Sequence, residues 1–244
     1  MKFLEAFNGI SAKLVDRSEY DGVWVSSLTQ SSSMGLPDNE LVSLKQRADL
    51  VREIADNTKK PILVDIDTGG KIEHLQNYVD WLKKAGAWGV VMEDKRGSKQ
   101  NSLLSNGKHE LEDIDAFCQK ITSIKESIKT FARLESLIAK HSIYEALIRA
   151  EAYLKAGANG ILIHSKEKVE AKEVMEFAEK FREKFPKETL IAIPTTYKLP
   201  DNHPFDITID ANQMFRASLK GMMNYLNGKE DLADIETIFD LCGH

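Results

Sequence analysis

The chain has 244 residues, of which 42% are hydrophobic and 29% are charged, a composition that argues against a disordered chain and suffices for one domain over residues 1–244. The formal net charge of −5 argues against a nucleic-acid partner, and the two distant cysteines form no disulfide framework or thiolate zinc site. Because no apolar run approaches the roughly 18 residues that cross a membrane, and residues 1–10 lack a signal-peptide core, we expect a cytoplasmic protein with no membrane partner.

Short apolar runs rich in β-branched residues recur along the whole chain and predict strands. Many are apolar at consecutive positions, which is typical of parallel strands that are buried on both faces. The eight predicted strands span residues 3–7, 22–26, 62–67, 88–93, 130–134, 160–164, 190–194 and 207–210.

Segments with helical periodicity separate most of these strands. In residues 41–55, for example, Leu44, Ala48 and Val51 fall on one helical face. Ala-Gly-Ala ends two of the helices, at Gly86 and Gly157, where glycine predicts a left-handed cap. The predicted helices span residues 41–55, 72–85, 113–128, 144–156, 169–185 and 211–226, and a terminal helix follows at 232–241 within the segment 231–242.

This alternation of strands and helices predicts a parallel sheet with right-handed crossovers. Eight strands in a chain of this length favour a closed (β/α)₈ TIM barrel with an additional C-terminal helix. An open dinucleotide-binding sheet is disfavoured, because no G-x-G-x-x-G follows the first strand. Residues 29–39 and 95–109 are predicted as long loops on the active face, and the second is a candidate lid.

The carboxyl ends of barrel strands form the active face, and acidic residues end two neighbouring strands here. Asp65 and Asp67 are one residue apart, so alternation along a strand predicts that they point to the same side. Together with Glu93 they favour a hard, oxygen-preferring cation, Mg²⁺ or Mn²⁺. The alternative is that these acids cap the next helix or pair with Lys95 and Arg133.

Four further residues are candidates for substrate contacts. Arg133 can make a bidentate contact with a carboxylate or phosphate, or it can form a buried ion pair with Glu135 or Glu93. His164 follows an apolar strand and is either a functional group or a hydrogen-bonded rim residue. Lys99 and Asn101 lie in the second long loop, which is either a lid or a solvated surface loop.

A resemblance to a known family rests on residues 93–103, E-D-K-R-G-S-K-Q-N-S-L. This segment resembles the E-D-K-x-x-x-K-x-N-S-L signature of phosphoenolpyruvate mutase, a family of the isocitrate lyase superfamily. Further matches cover nearly the whole chain, at residues 5–12, 24–28, 61–69, 132–135, 163–166, 194–195 and 211–212. The resemblance implies transfer of a phosphoryl group between the enol oxygen and C3 of pyruvate, which interconverts phosphoenolpyruvate and phosphonopyruvate.

The resemblance also implies roles for individual residues. Asp65 would bind Mg²⁺ directly, and Asp67 and Glu93 would hold its water shell. The implied catalytic residues are Asp38, Lys99, Asn101, Arg133 and His164. The implied substrate-binding residues are Trp24, Ser26, Ser27, Leu28 and Thr195, together with Asn101, Arg133 and His164. The superfamily's helix-swapped oligomers imply a homo-oligomer, a dimer or tetramer, in which the terminal helix packs on a neighbouring subunit.

The chain departs from the family pattern at three places. Gly70-Lys71-Ile72 follows D-T-G where the family usually has Y-G-N, Gly97-Ser98 replaces a common aromatic-proline pair, and Ser27 stands where glycine is usual. These departures leave hydrolysis of phosphonopyruvate as an alternative outcome. A C–C lyase acting on a 2-hydroxy acid is disfavoured, because the loop after the fourth strand has no cysteine. A non-catalytic barrel that binds a carboxylate or phosphonate is a further alternative.

Overall fold

In the computed structural model, which describes residues 1–97, 101–104, 109–229 and 231–243, eight parallel strands close into a barrel. The barrel strands are β1 (Lys2–Glu5), β2 (Gly22–Val25), β3 (Ile62–Asp65), β4 (Gly89–Glu93), β5 (Lys129–Leu134), β6 (Gly160–Ile163), β8 (Thr189–Ala192) and β10 (Ile207–Asp210). Their order around the barrel is β1-β10-β8-β6-β5-β4-β3-β2. All eight predicted strands are confirmed, although several end one or two residues earlier than predicted.

Side chains alternate between two cores along each strand. In β3, for example, Leu63 points into the barrel, whereas Ile62 and Val64 pack against the surrounding helices. Both faces of the sheet are therefore buried, which explains the consecutive apolar positions in the sequence. The barrel interior is filled by Phe3, Trp24, Leu63, Val91, Phe131, Leu162, Ile191 and Ile209.

Helices surround the barrel. Every predicted helix is present, and its ends lie within about three residues of the predicted ones. The one exception is the helix predicted at residues 113–128, which ends four residues earlier than predicted. Gly86 and Gly157 adopt the expected left-handed cap conformation, with φ of 114° and 108°. The helices are α1 (Gly9–Asp16), α2 (Ser27–Ser33), α3 (Leu44–Ala55), α4 (Ile72–Ala85), α5 (Ile114–Ile124), α6 (Ile143–Ala156), α7 (Lys172–Lys184), α8 (Gln213–Leu226) and α9 (Ile235–Cys242).

Three features differ from the sequence-based prediction. Helix α2 occupies the first part of residues 29–39, for which the sequence predicts a loop. Its sequence, SLTQSSS, has little helix propensity. The helix is stabilised by a cap, because the hydroxyl of Ser26 accepts a hydrogen bond from the backbone N–H of Thr29. Helix α1 was not predicted either, and a capping box between Asn8 and Ser11 stabilises its start. Two short parallel strands, β7 (Val169–Glu170) and β9 (Tyr197–Lys198), pair outside the barrel, so the helix predicted from residue 169 begins at Lys172.

The terminal helix α9 lies against α1 of the same chain. Leu241 is buried there, and Arg17 forms an exposed ion pair with Asp240. Apolar side chains remain exposed on both α8 and α9, namely Leu219, Met222, Met223, Leu226, Ile235, Ile238 and Phe239. Within the described ranges, no helix is both long and apolar enough to span a bilayer.

Candidate active site

A polar cavity lies at the carboxyl ends of the barrel strands. It forms where, along four neighbouring strands, the inward-facing positions change from apolar to polar two residues further on, since side chains alternate with a period of two. The pairs are Leu63 and Asp65, Val91 and Glu93, Phe131 and Arg133, and Leu162 and His164. The cavity is lined by ten of the predicted site residues, Trp24, Ser26, Ser27, Leu28, Asp38, Asp65, Asn101, Arg133, His164 and Thr195, together with Ser102, Leu103, Ile193, Ala211 and Asn212.

Asp65 is the carboxylate at the centre of this cavity. Its Oδ2 accepts a hydrogen bond from the Ser27 hydroxyl at 2.9 Å and lies 3.8 Å from a terminal nitrogen of Arg133. Its Oδ1 accepts the backbone N–H of Asp67 at 3.0 Å. The side chain is thus held on both oxygens, and its orientation is set by α2 and by the turn that follows β3.

Asp67 does not continue the alternation that places Asp65 in the cavity. Strand β3 ends at Asp65, and Asp67 adopts a left-handed conformation with φ of 55°, so the strand period no longer applies. Its Oδ2 forms a buried ion pair with Arg47 of α3 at 2.8 Å. Sequence analysis missed Arg47; a charged residue next to Ala48 on the apolar stripe of α3 was the available signal.

Glu93 and Arg133 belong to a buried cluster of charges that also includes Lys95 and Glu135. The Nε of Arg133 lies 2.6 Å from Glu135 Oε1, and its Nη2 lies 3.6 Å from Glu93 Oε2. Lys95 Nζ lies 3.2 Å from Glu135 and 3.7 Å from Glu93. The ion pairs that were an alternative for these residues are therefore present, but Arg133 still lines the cavity.

The carboxylates of this cluster outnumber its positively charged groups, so the net charge of the cluster favours a bound cation. Burial raises the pKa of Glu135, but the charges of Arg133 and Lys95 outweigh it and hold that pKa well below its usual range. With Asp65 and Glu93, the cluster contains three carboxylates against two cations. Among the residues that the structure describes, no three acidic, histidine or cysteine side chains converge on one point. A Mg²⁺ ion fits such a site, because it usually binds one or two carboxylates and keeps several waters.

His164 is held next to Arg133 by its Nδ1, which lies 3.2 Å from a terminal nitrogen of the guanidinium. A guanidinium can only donate, so in this contact Nδ1 accepts and the neutral ring carries its proton on Nε2; the same Nδ1 lies 3.6 Å from Glu135 Oε1, a contact that favours a proton on Nδ1 instead. Burial and the charge of Arg133 lower the pKa of His164, which favours the neutral form. With Nδ1 accepting from Arg133, the shorter of the two contacts, His164 is suited to donate one hydrogen bond from Nε2.

The second long loop returns to the cavity at residues 101–104. Asn101 Nδ2 donates to Asp38 Oδ2 at 2.7 Å, which joins this loop to the segment after α2. The hydroxyl of Ser102 donates to Glu135 at 2.7 Å and accepts from Lys95 at 2.6 Å, a role that sequence analysis did not assign. Lys99, predicted as a catalytic residue of this loop, lies outside the described residues.

Glu5, at the end of β1, is fully buried next to the first turn of α2. It accepts hydrogen bonds from the Thr29 hydroxyl and, at 3.0 Å, from the backbone N–H of Phe215 in the first turn of α8. Burial raises the pKa of Glu5 to about 7, and the two hydrogen bonds oppose this shift only in part. This carboxyl group therefore connects β1 with α2 and α8. Above neutral pH it becomes a buried carboxylate, which destabilises the folded chain.

We expect Glu5→Gln to raise the free energy of unfolding at pH 8 by up to about 3 kcal/mol, because the glutamine oxygen can accept from the Phe215 N–H while its NH2 group donates to the Thr29 hydroxyl, so both contacts persist without a buried charge. Between pH 4.5 and pH 7 the unfolded chain releases the Glu5 proton while the folded chain keeps it, so the stability contributed by Glu5 falls as pH rises. Urea unfolding at pH 5 and pH 8 tests this, with the exposed Glu19→Gln as control. Equal stabilities of wild type and Glu5→Gln at pH 8 would contradict it.

The family model described as Phosphoenolpyruvate phosphomutase matches residues 1–227. The chain belongs to the phosphoenolpyruvate phosphomutase family. The phosphoenolpyruvate phosphomutase of Tetrahymena pyriformis is 34% identical over 261 residues, which cover 98% of this chain and 86% of that protein.

A relative with another activity is similar to the same extent. The phosphonopyruvate hydrolase of Variovorax sp. (strain Pal2) is 35% identical over 200 residues, which cover 80% of this chain and 68% of that protein. A crystal structure of phosphonopyruvate hydrolase in complex with oxalate and Mg²⁺ superimposes with a TM-score of 0.88 at 29% identity, covering 100% of this chain and 90% of the other. Family membership thus establishes an enzyme fold without separating mutase from hydrolase.

Proposed function

We propose that this phosphomutase-family chain is a Mg²⁺-dependent phosphoenolpyruvate mutase that interconverts phosphoenolpyruvate and phosphonopyruvate and supplies C–P bonds for phosphonate biosynthesis. The observation that supports this most strongly is the convergence of Asp38, Asp65, Asn101, Arg133 and His164 on one cavity. These residues come from five separate segments of the chain. The family resemblance implies metal binding for Asp65, substrate or phosphoryl contacts for Asn101, Arg133 and His164, and an essential catalytic role for Asp38.

The metal would be held by Asp65 directly and by Asp67 and Glu93 through water, and Mn²⁺ is expected to substitute for Mg²⁺. When bound, the ion supplies positive charge next to the oxygens of a pyruvate enolate. Arg47 already compensates the charge of Asp67, and Arg133 partly compensates that of Glu93. Asp65 is consequently the carboxylate best placed to contact both the ion and the cavity.

In the proposed reaction, the phosphoryl group leaves C3 of phosphonopyruvate and joins the enol oxygen on C2. One C–P bond breaks and one O–P bond forms, and neither water nor a proton is consumed. Phosphoryl transfer mainly requires positioning and charge stabilisation, which Arg133, His164 Nε2 and the Asn101 amide would supply. Ser26, Ser27 and Leu28 at the start of α2, with Trp24 and Thr195, would hold the carboxylate end of the substrate.

The second candidate function is hydrolysis of phosphonopyruvate, which the 35% identity to a phosphonopyruvate hydrolase supports. It would use the same site and differ only in the acceptor, since water rather than the enol oxygen would receive the phosphoryl group. Incubation of the protein with phosphonopyruvate and Mg²⁺, followed by phosphorus NMR, separates the two. Phosphoenolpyruvate is the expected product, and inorganic phosphate without phosphoenolpyruvate would favour the hydrolase.

A homo-oligomer, dimer or tetramer, is a further part of the proposal. The exposed apolar side chains of α8 and α9 would pack against a second copy of the chain. We expect a chain that ends at residue 230, and so lacks α9, to assemble with fewer subunits than the full chain. Multi-angle light scattering tests this, with Arg17→Ala as a control that removes only the side-chain contacts of Arg17 with Asp240. An unchanged number of subunits in the truncated chain would rule the role of α9 out.

A further inference from the structure

We propose that Arg47 of α3 is a positioning residue of the active site, which fixes the turn after β3 so that the Asp65 carboxylate is presented to the cavity and to a divalent cation. This inference rests on the proposed function for the identity of the cation. Arg47 itself does not line the substrate cavity, so its effect must pass through Asp65.

The geometry of the contact is that of a clamp on two successive parts of one turn. One terminal nitrogen of Arg47 donates to the backbone carbonyl of Asp65 at 2.6 Å, and the other donates to Asp67 Oδ2 at 2.8 Å. All three side chains are at least nine-tenths buried. Because the planar guanidinium reaches both acceptors at once, it fixes the chain on either side of Ile66.

The turn contains a left-handed residue, a conformation that is uncommon outside glycine but that aspartate adopts more readily than most other residues. Asp67 has φ of 55°, in the left-handed region that residues other than glycine seldom occupy. In the same turn the backbone N–H of Asp67 donates to Asp65 Oδ1, 3.0 Å away. Arg47 holds the carbonyl of Asp65 and the side chain of Asp67, so its loss frees both ends of the segment that keeps this donor next to the Asp65 carboxylate.

A lysine at position 47 would not replace the arginine. Its ammonium group could compensate the charge of Asp67, but a single nitrogen at the end of a flexible four-carbon chain does not reproduce the fixed two-nitrogen fork. A purely electrostatic role predicts that Arg47→Lys behaves as wild type. A positioning role predicts that charge alone is insufficient.

A second cavity next to Arg47 offers a way to restore the clamp chemically. This cavity, about 310 Å³ in volume, lies between α3, α4 and the turn after β3, and its wall includes Arg47, Asp67, Gly70, His74 and Tyr78. It shares no lining residue with the substrate cavity. A guanidinium ion that enters here can occupy the space vacated in Arg47→Ala without competing with substrate.

The test is Mg²⁺ binding in the presence of oxalate, measured by isothermal titration calorimetry without turnover. We expect Arg47→Ala to weaken the apparent Kd for Mg²⁺ at least tenfold and Arg47→Lys at least threefold. Added guanidinium chloride at 20–50 mM should restore the Mg²⁺ affinity of Arg47→Ala, whereas equal sodium chloride should not. The matched control is Arg52→Ala, an exposed arginine of the same helix, with an unchanged Kd.

Each outcome has a defined meaning. A Kd for Mg²⁺ within twofold of wild type in Arg47→Lys overturns the positioning role. Because Arg47→Lys keeps a positive charge next to Asp67, it provides the test even if Arg47→Ala does not fold. Weakened Mg²⁺ affinity in both Arg47→Ala and Arg47→Lys, with the affinity of Arg47→Ala restored by guanidinium, supports the positioning role. Wild-type protein that binds no Mg²⁺ would instead overturn the metal dependence of the proposed function, and the inference with it. Mutase and hydrolase outcomes leave this test unaffected.

Discussion

Asp65→Ala is expected to lower kcat/KM for phosphonopyruvate by at least about 10³-fold and to remove saturation by Mg²⁺ in the millimolar range. Asp65 is the carboxylate that both lines the cavity and is oriented on each of its oxygens, by Ser27 and by the backbone of Asp67. The substitution removes one of the carboxylates next to Arg133, and it leaves the proposed cation without a direct protein ligand. The measurement is initial rate against Mg²⁺ concentration.

The matched control for this substitution is Asp49→Ala, which removes an exposed carboxylate whose partner is Lys45 on the same helix. Exposed pairs of this kind contribute about 0.3–0.5 kcal/mol, so Asp49→Ala should keep both its activity and its fold. Circular dichroism establishes that Asp65→Ala is folded. A folded Asp65→Ala enzyme with kcat/KM within tenfold of wild type would contradict the assignment of Asp65.

Asn101→Ala and Asp38→Ala are each expected to lower kcat about 10²-fold while the fold survives, and the double variant should be little worse than either. The two side chains are joined by a hydrogen bond of 2.7 Å between the loop at residue 101 and the segment after α2. Loss of either partner releases the same contact over the cavity, so the effects should not add. A double-mutant cycle on kcat measures this coupling.

The control for that cycle is Asn39→Ala, an exposed neighbour of Asp38 whose side chain does not line the cavity. It should leave kcat within about twofold. Losses of kcat that multiply in the double variant would show that Asp38 and Asn101 act independently, and the account of one shared contact would then be wrong.

The barrel was predictable because its signal is local and repeated. Each strand is apolar at consecutive positions and each helix carries one apolar face, so the eight-fold alternation can be read without knowledge of tertiary contacts. The short pair β7 and β9 could not be found in this way, since two-residue strands carry no period. Helix α2 was missed because its serine-rich sequence relies on a cap rather than on propensity.

The candidate site was predictable where the strand period extends to the rim. Arg133 and His164 follow inward-facing residues by two positions, so the barrel itself places them in the cavity. Asp67 lies beyond the end of β3, where a left-handed residue interrupts that period. The role of Arg47 depends on a contact between residues about 20 positions apart on different elements, which no periodicity of a single sequence encodes.

The central claim is that phosphonopyruvate passes its phosphoryl group to its own enol oxygen and not to water. A single-turnover reaction with enzyme in excess over phosphonopyruvate, run with Mg²⁺ in ¹⁸O-labelled water and analysed by mass spectrometry, tests this most directly. We expect phosphoenolpyruvate as the first product, with no ¹⁸O in its phosphoryl group. Inorganic phosphate that carries ¹⁸O, formed together with pyruvate and without phosphoenolpyruvate, would contradict the claim.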